Sequence, residues 1–113
     1  MSARATALDR QDAVFSALAD RTRRQVLRLV AERGPASATS LEHELPVSRQ
    51  AIVKHLVVLK AAGLVAGERH GQEVRYSLVA EPLGEAAEWL SEIGARWDAR
   101  LKRLRHYLQT HDR

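Results

Sequence analysis

The sequence predicts a mainly α-helical domain with one small β-hairpin, in the order α-α-α-α-β-β-α. Three observations carry that prediction. Apolar residues recur at helical spacing through most of the chain. The period changes to strict alternation between Leu64 and Leu78. A seven-residue repeat then runs from Leu83 to Leu108.

The elements follow in order. Residues 1–10 are polar and read as a flexible tail. A short helix spans 11–19, with Val14, Phe15 and Leu18 on one face. Asp20 is a candidate N-cap for the next helix, RTRRQVLRLVAER, whose stripe is Val26, Leu27, Leu29 and Val30 and whose end is marked by Gly34-Pro35. Arg23 and Arg24 open this helix and suit either a phosphate or an intramolecular carboxylate. A third helix places Leu41 and Leu45 inward. It has two possible starts: a Ser37 cap, or a Thr39 cap with Glu42 reaching back in a capping box. Pro46-Val47 breaks the chain, Ser48 caps a fourth helix running to about Ala62, and Gly63 ends it.

LVAGERHGQEVRYSL then forms two strands about a turn at His70-Gly71-Gln72. Val74, Tyr76 and Leu78 share one face of the second strand, Arg75 and Ser77 the other. Pro82 suits the first turn of the last helix, over 83–110. There Leu83, Leu90, Trp97 and Leu104 interleave with Ala87, Gly94, Leu101 and Leu108 in a coiled-coil-like seam. Such a helix, roughly 40 Å long, outruns the core of so small a domain, so part of its stripe should meet another chain. Early glutamates and late arginines match its macrodipole.

At 113 residues the chain suits a single domain over 1–113. A domain of this size buries about two thirds of its unfolded surface, so oligomerisation would help. Of the net charge of +4, the excess lies in residues 21–81, which hold ten Lys/Arg against six Asp/Glu. That is weak evidence for nucleic acid by itself. The absence of cysteine excludes disulfides and thiolate metal sites and is compatible with a reducing cytoplasm. Nothing approaches a membrane span, and the polar N-terminus does not resemble an export signal.

Short helix, tight turn and capped helix make a helix-turn-helix, and the hairpin after it makes a wing, so the fold class is a winged helix-turn-helix. The segments FSALADRTRRQVLRLV, LPVSRQAIVKHLVVLKAAGLV and ERHGQEVRYSL resemble the arsenic-repressor (ArsR/SmtB) type of winged-helix regulator over about residues 11 to 80. The resemblance implies a homodimeric, sequence-specific bacterial DNA-binding repressor whose helices at 11–19 and 83–110 build the dimer. The expected interface residues are Val14, Phe15, Leu18, Leu83, Leu90, Trp97, Leu101, Leu104 and Leu108.

The fourth helix supports the same reading. Ile52, Leu56 and Leu59 point to one side as core. Ser48, Arg49, Gln50, Val53 and Lys54 lie around the remaining surface, at the end that enters a major groove in this motif. Arg49 suits guanine O6/N7, Gln50 suits adenine N6/N7, and Val53 suits a thymine methyl. Val57 suits partner packing better than readout. His55, matching a histidine common in the family, suits half-buried structure or a phosphate contact. At the wing, Arg69, His70, Gln72 and Arg75 could reach a minor groove or its phosphates.

The sequence departs from the family's pattern in places. Arg21 stands where proline is frequent, Glu42 where a small alanine is usual, and Val53 where serine is frequent. Many relatives bind metal through Cys-x-Cys on the third helix; this chain carries His43 and Glu44 there. Asp98, His106 and His111 on the last helix are the residues a metal-responsive alternative would use, but the expectation is no metal and no cofactor. A winged helix serving only protein–protein interaction is the other alternative. Enzymatic activity is not expected, because no phosphate-cradling glycine loop, cysteine nucleophile or close acid/base pair is evident.

Overall fold

Side chains that satisfy the first free N–H groups of each helix set where the helices begin. The computed structural model describes residues 6–111. Its elements are α1 (Ala7–Leu18), α2 (Arg21–Arg33), α3 (Ala38–Glu42), α4 (Arg49–Ala61), β1 (Val65–His70), β2 (Glu73–Leu78) and α5 (Glu81–His111). α1 starts earlier than expected. The Thr6 hydroxyl accepts from the Asp9 N–H at 3.0 Å, and the Asp9 carboxylate accepts from the Thr6 N–H at 3.1 Å. That reciprocal capping box makes residues 7–10 helical, which corrects the expected tail over 1–10. Residues 1–5 lie outside the described residues.

Asp20 caps α2 as expected, accepting from the Arg23 N–H at 2.9 Å. This hydrogen bond holds the Asp20 carboxyl below its ordinary range. Of the two starts open for α3, Ser37 is the cap. Ser40 closes the box by accepting from the Ser37 N–H at 3.0 Å, and Glu42 is left exposed. Ser48 caps α4, and Gly63, at φ 78°, takes the left-handed conformation that ends it.

The core is drawn from every helix. Val26 and Val30 of α2, Leu41 of α3, and Ile52, Leu56 and Leu59 of α4 are almost wholly buried, with Leu64 and Val65 beneath the hairpin. β1 and β2 pair antiparallel from Val65↔Leu78 to His70↔Glu73, leaving a two-residue turn with Gly71 at φ 64°. The hairpin is also pinned from behind. Ala36, in the loop between α2 and α3, exchanges two backbone hydrogen bonds with Tyr76, at 3.0 and 2.8 Å.

α5 is one continuous helix of 31 residues, about 46 Å long at 1.5 Å per residue. Only its start lies on the domain. Ala86 is buried, and Trp89 meets Phe15 of α1 with ring centroids 5.4 Å apart. The rest projects outward. The radius of gyration is 19.5 Å, against about 13 Å for a compact chain of this length. Leu90, Trp97, Leu101, Leu104 and Leu108 are each at least half exposed. Val14, by contrast, is 2% exposed within its own domain, because α1 turns that face onto the core; it is not available to a partner, contrary to expectation. Phe15, Leu18 and Leu83 pack partly against the same core.

Candidate nucleic-acid interface

α4 is amphipathic in a way that separates two tasks. Ile52, Leu56 and Leu59, spaced four and three apart, are fully buried and fix the helix to the domain. The other side presents Arg49, Gln50, Val53 and Lys54, which line one open depression of about 420 Å³. Val53 is 40% exposed, an uncovered valine in the middle of polar neighbours. The Ser48 hydroxyl accepts from the Ala51 N–H at 3.2 Å, so it orders the first turn, the one carrying Arg49 and Gln50. Replacing Ser48 by alanine should cost about 1 kcal/mol of stability. Urea unfolding of the two proteins measures this, and an unchanged midpoint would show that the cap contributes nothing.

A second hollow, of about 160 Å³, lies between the wing and α4; Arg49 and Val53 face Gln72, Val74 and Tyr76 across it, with Thr39 of α3 at its rim. Wing and α4 therefore form one continuous surface. Tyr76 is central to this arrangement. Its backbone is tied to Ala36, and its ring lies over Gly67, where an added Cβ would sit 3.2 Å from Tyr76 Cε1. The sequence reading placed Tyr76 only on one face of the second strand, with Val74 and Leu78. The Ala36 anchor had no local signal at all.

The strand register divides the expected wing residues. Arg69, opposite Val74, lies on the face shared by Gly67 and Tyr76, and its Nε donates to the Gly71 carbonyl at 3.2 Å. Gln72 is at the turn itself and exposed. His70 and Arg75 lie on the other face, together with Glu68 and Glu73. There Arg75 Nε is 3.5 Å from Glu73, and His70 Nε2 is 3.7 Å from Glu68. Arg75 is thus partly neutralised, and both side chains lie on the face of the wing away from α4.

His55 is also displaced from the expected group. At 100° per residue it lies about 160° around α4 from Val53. It is half-buried, with Nδ1 3.5 Å from Arg23 Nη1 and Asp20 close enough to feel its charge. His55 belongs to the joint between α2 and α4, not to the exposed face. Arg23 and Arg24, whose roles the sequence left open, have intramolecular partners, but these are backbone carbonyls and not the expected carboxylate. Arg23 Nε donates to the Ala17 carbonyl at 2.6 Å and Arg24 Nη1 to the Leu18 carbonyl at 2.7 Å, satisfying the C-terminal end of α1. Two arginines just past a helix end were the available signal.

Among the described residues, no three His, Asp or Glu side chains come together as a metal site. Glu44, one of the two residues at the family's thiol position, is ion-paired with Arg33. The side chain of His111 lies outside the described residues. No helix among the described residues is long and apolar enough to cross a membrane.

A short helix, a turn, a capped helix with an exposed polar face and a hairpin lying beside it define a winged helix-turn-helix protein of the DNA-binding class. Comparisons agree. A family model described as "Helix-turn-helix domain" matches residues 18–68. An ArsR-like transcriptional regulator from Rhodococcus sp. RHA1 superposes with a TM-score of 0.71 at 43% identity, over 88% of this chain and 93% of that one. The transcriptional repressor SdpR of Bacillus subtilis is 34% identical over 68% of this chain and 84% of its own length. The HTH-type transcriptional regulator Rv2034 of Mycobacterium tuberculosis is 43% identical over 67% and 68%. The chain belongs to the ArsR family of helix-turn-helix transcriptional regulators, and it is a DNA-binding regulator, not an enzyme.

Proposed function

We propose that the protein is a homodimeric repressor of the cytoplasm that binds an inverted-repeat operator, one α4 in each of two successive major grooves. The observation that carries this reading is the exposed face of Arg49, Gln50, Val53 and Lys54 on a helix whose opposite face is wholly buried. Arg49 and Gln50 read base edges, Val53 contacts a thymine methyl, and Ser48 and Lys54 hold phosphates. At the wing, Arg69 and Gln72 reach the adjacent minor groove or its backbone, and His70 and Arg75 contribute only to the general field. His55 positions α4. The whole of 1–113 is one winged-helix domain, with α1 and α5 serving the dimer. The similarity to a named repressor supports repression as the direction of control.

Selection of bound sites from a random DNA library tests this directly. Two identical half-sites about one helical turn apart are expected. An asymmetric or single half-site would sink the dimeric reading, and no enrichment at all would sink the DNA contacts. Within the selected operator, Arg49→Ala is expected to cost about 1–3 kcal/mol of binding and to relax preference at one base pair per half-site. Uniform weakening across all sequences would make Arg49 a phosphate contact instead. Competition assays at fixed salt separate the two, since phosphate contacts scale with ionic strength.

A further inference from the structure

Val57 is 56% exposed, on the same helix as the uncovered Val53. At 100° per residue the two valines point within about 40° of one another, one turn apart, and Val57 lies about 20° from the direction of Gln50. Lys54 and Lys60, three residues before and after Val57, flank it on either side and are exposed as well. The face that the domain buries, Ile52, Leu56 and Leu59, is turned away from this strip. Two valines thus continue the reading face by one turn, between cations. Neither is explained by the fold. Each leaves much of its apolar surface in water, and valine is a poorer helix former than the lysines beside it.

We propose that Val57 is a further base-reading residue, and that Val53 and Val57 together read the C5 methyl groups of thymines on two consecutive base pairs of each half-site. The proposal rests on the DNA-binding reading of α4 above and extends it by one turn. Four residues advance a helix by about 6 Å. That is less than two steps of the ~3.4 Å between bases along a strand, so the valines fit neighbouring base pairs. Reading helices in this class of protein touch bases over about two turns, and Gln50 to Val57 covers two. The thymine methyl is the apolar group that unmodified base pairs present in the major groove, so it is the base target valine suits. Covering both valines buries apolar area that the fold leaves in water. Lys54 and Lys60 beside Val57 favour a polyanion over an apolar protein surface. Partner packing, the role expected for Val57 from the sequence, conflicts with its direction: a protein seated there would also cover Gln50 and Val53.

Deoxyuridine lacks only the C5 methyl of thymidine, so it tests the proposal base by base. Each thymine of a selected half-site is replaced in turn, and binding is measured at fixed salt. The parent protein should lose roughly fourfold at each of two consecutive base pairs, the loss expected when about one methyl-sized group stays unburied. Val57→Ala should bind the unmodified operator roughly fourfold more weakly. It should also be indifferent to uracil at one of those two positions and remain sensitive at the other; Val53→Ala should show the reverse. Alanine is the better helix former, so neither variant threatens α4, and thermal unfolding should stay level or rise. Val57→Ala with parent affinity, and with parent sensitivity to uracil at both positions, would overturn the proposal. So would equal weakening on every operator with both sensitivities kept. A Val57→Ala protein that turns monomeric by sedimentation would give the residue to the dimer and overturn it too. A parent that selects no DNA at all removes the DNA reading of α4 and Val57 with it, whereas a parent that binds its operator and ignores every uracil overturns this proposal alone.

Discussion

Replacing Leu56 by alanine is expected to destabilise the protein by about 3 kcal/mol, within the 2–5 kcal/mol range for emptying a buried leucine site. Leu56 is wholly buried and belongs to the cluster that joins α4 to α2 and to the hairpin base. Its neighbours Ile52 and Leu59 are equally buried, so the cavity has little freedom to collapse. The same residue holds the DNA-reading helix in place. Operator binding should therefore weaken alongside stability, although Leu56 is nowhere near the exposed face. Denaturant unfolding at fixed protein concentration measures the first effect, and the midpoint should shift while the slope stays constant. A loss below 1 kcal/mol would mean that α4 is fixed by something other than this cluster.

The pairing of core and exposed faces on α4 was legible in the sequence because it needs only a 3.6-residue period and a cap. Ser48, Asp20 and Gly63 marked boundaries the structure keeps. The heptad of α5 was legible for the same reason. What was missed depended on partners distant in sequence or on short polar segments. Ala7 to Arg10 has no apolar stripe, so nothing in its pattern showed that Thr6 and Asp9 cap one another. Ala36 pairs with Tyr76 forty residues later, a contact no local period encodes. Val14 fits a dimer face and a core face equally well by spacing; only the way α1 lies on the domain decides for the core.

The candidate DNA surface was legible in kind and needed the structure to trim it. Arg49, Gln50, Val53 and Lys54 do come together. His55 was read as half-buried structure or a phosphate contact from its match to a family histidine, and the structure has it half-buried against Arg23, on another side of the helix. The wing shows the same lesson for strands. The two-residue turn puts His70 beside Glu73 and Arg75 beside Glu68, so counting cations at the tip overstates its positive charge. Arg69, one residue from His70, falls on the face toward Tyr76 because side chains alternate. A one-residue slip in register would exchange these roles.

Leu101→Asp is expected to have the largest effect on function while sparing the domain. Leu101 is 50% exposed in the single chain and lies well beyond the contact of Trp89 with Phe15. An aspartate there meets water in the monomer and costs the fold little. In the proposed dimer the same carboxylate would be buried in the seam without a partner, where desolvation opposes it. Monomers by sedimentation are the expected result, with α4 and the wing unaltered. Binding to a single half-site should then match the parent protein. Binding to the complete inverted repeat should fall by roughly 100-fold or more, because the second half-site is no longer delivered at millimolar effective concentration. The contrast between the two DNA lengths is what tests the idea. Equal losses on both would mean that Leu101 supports the domain itself. Unchanged binding to the full repeat by a protein that remains dimeric would place the interface away from α5.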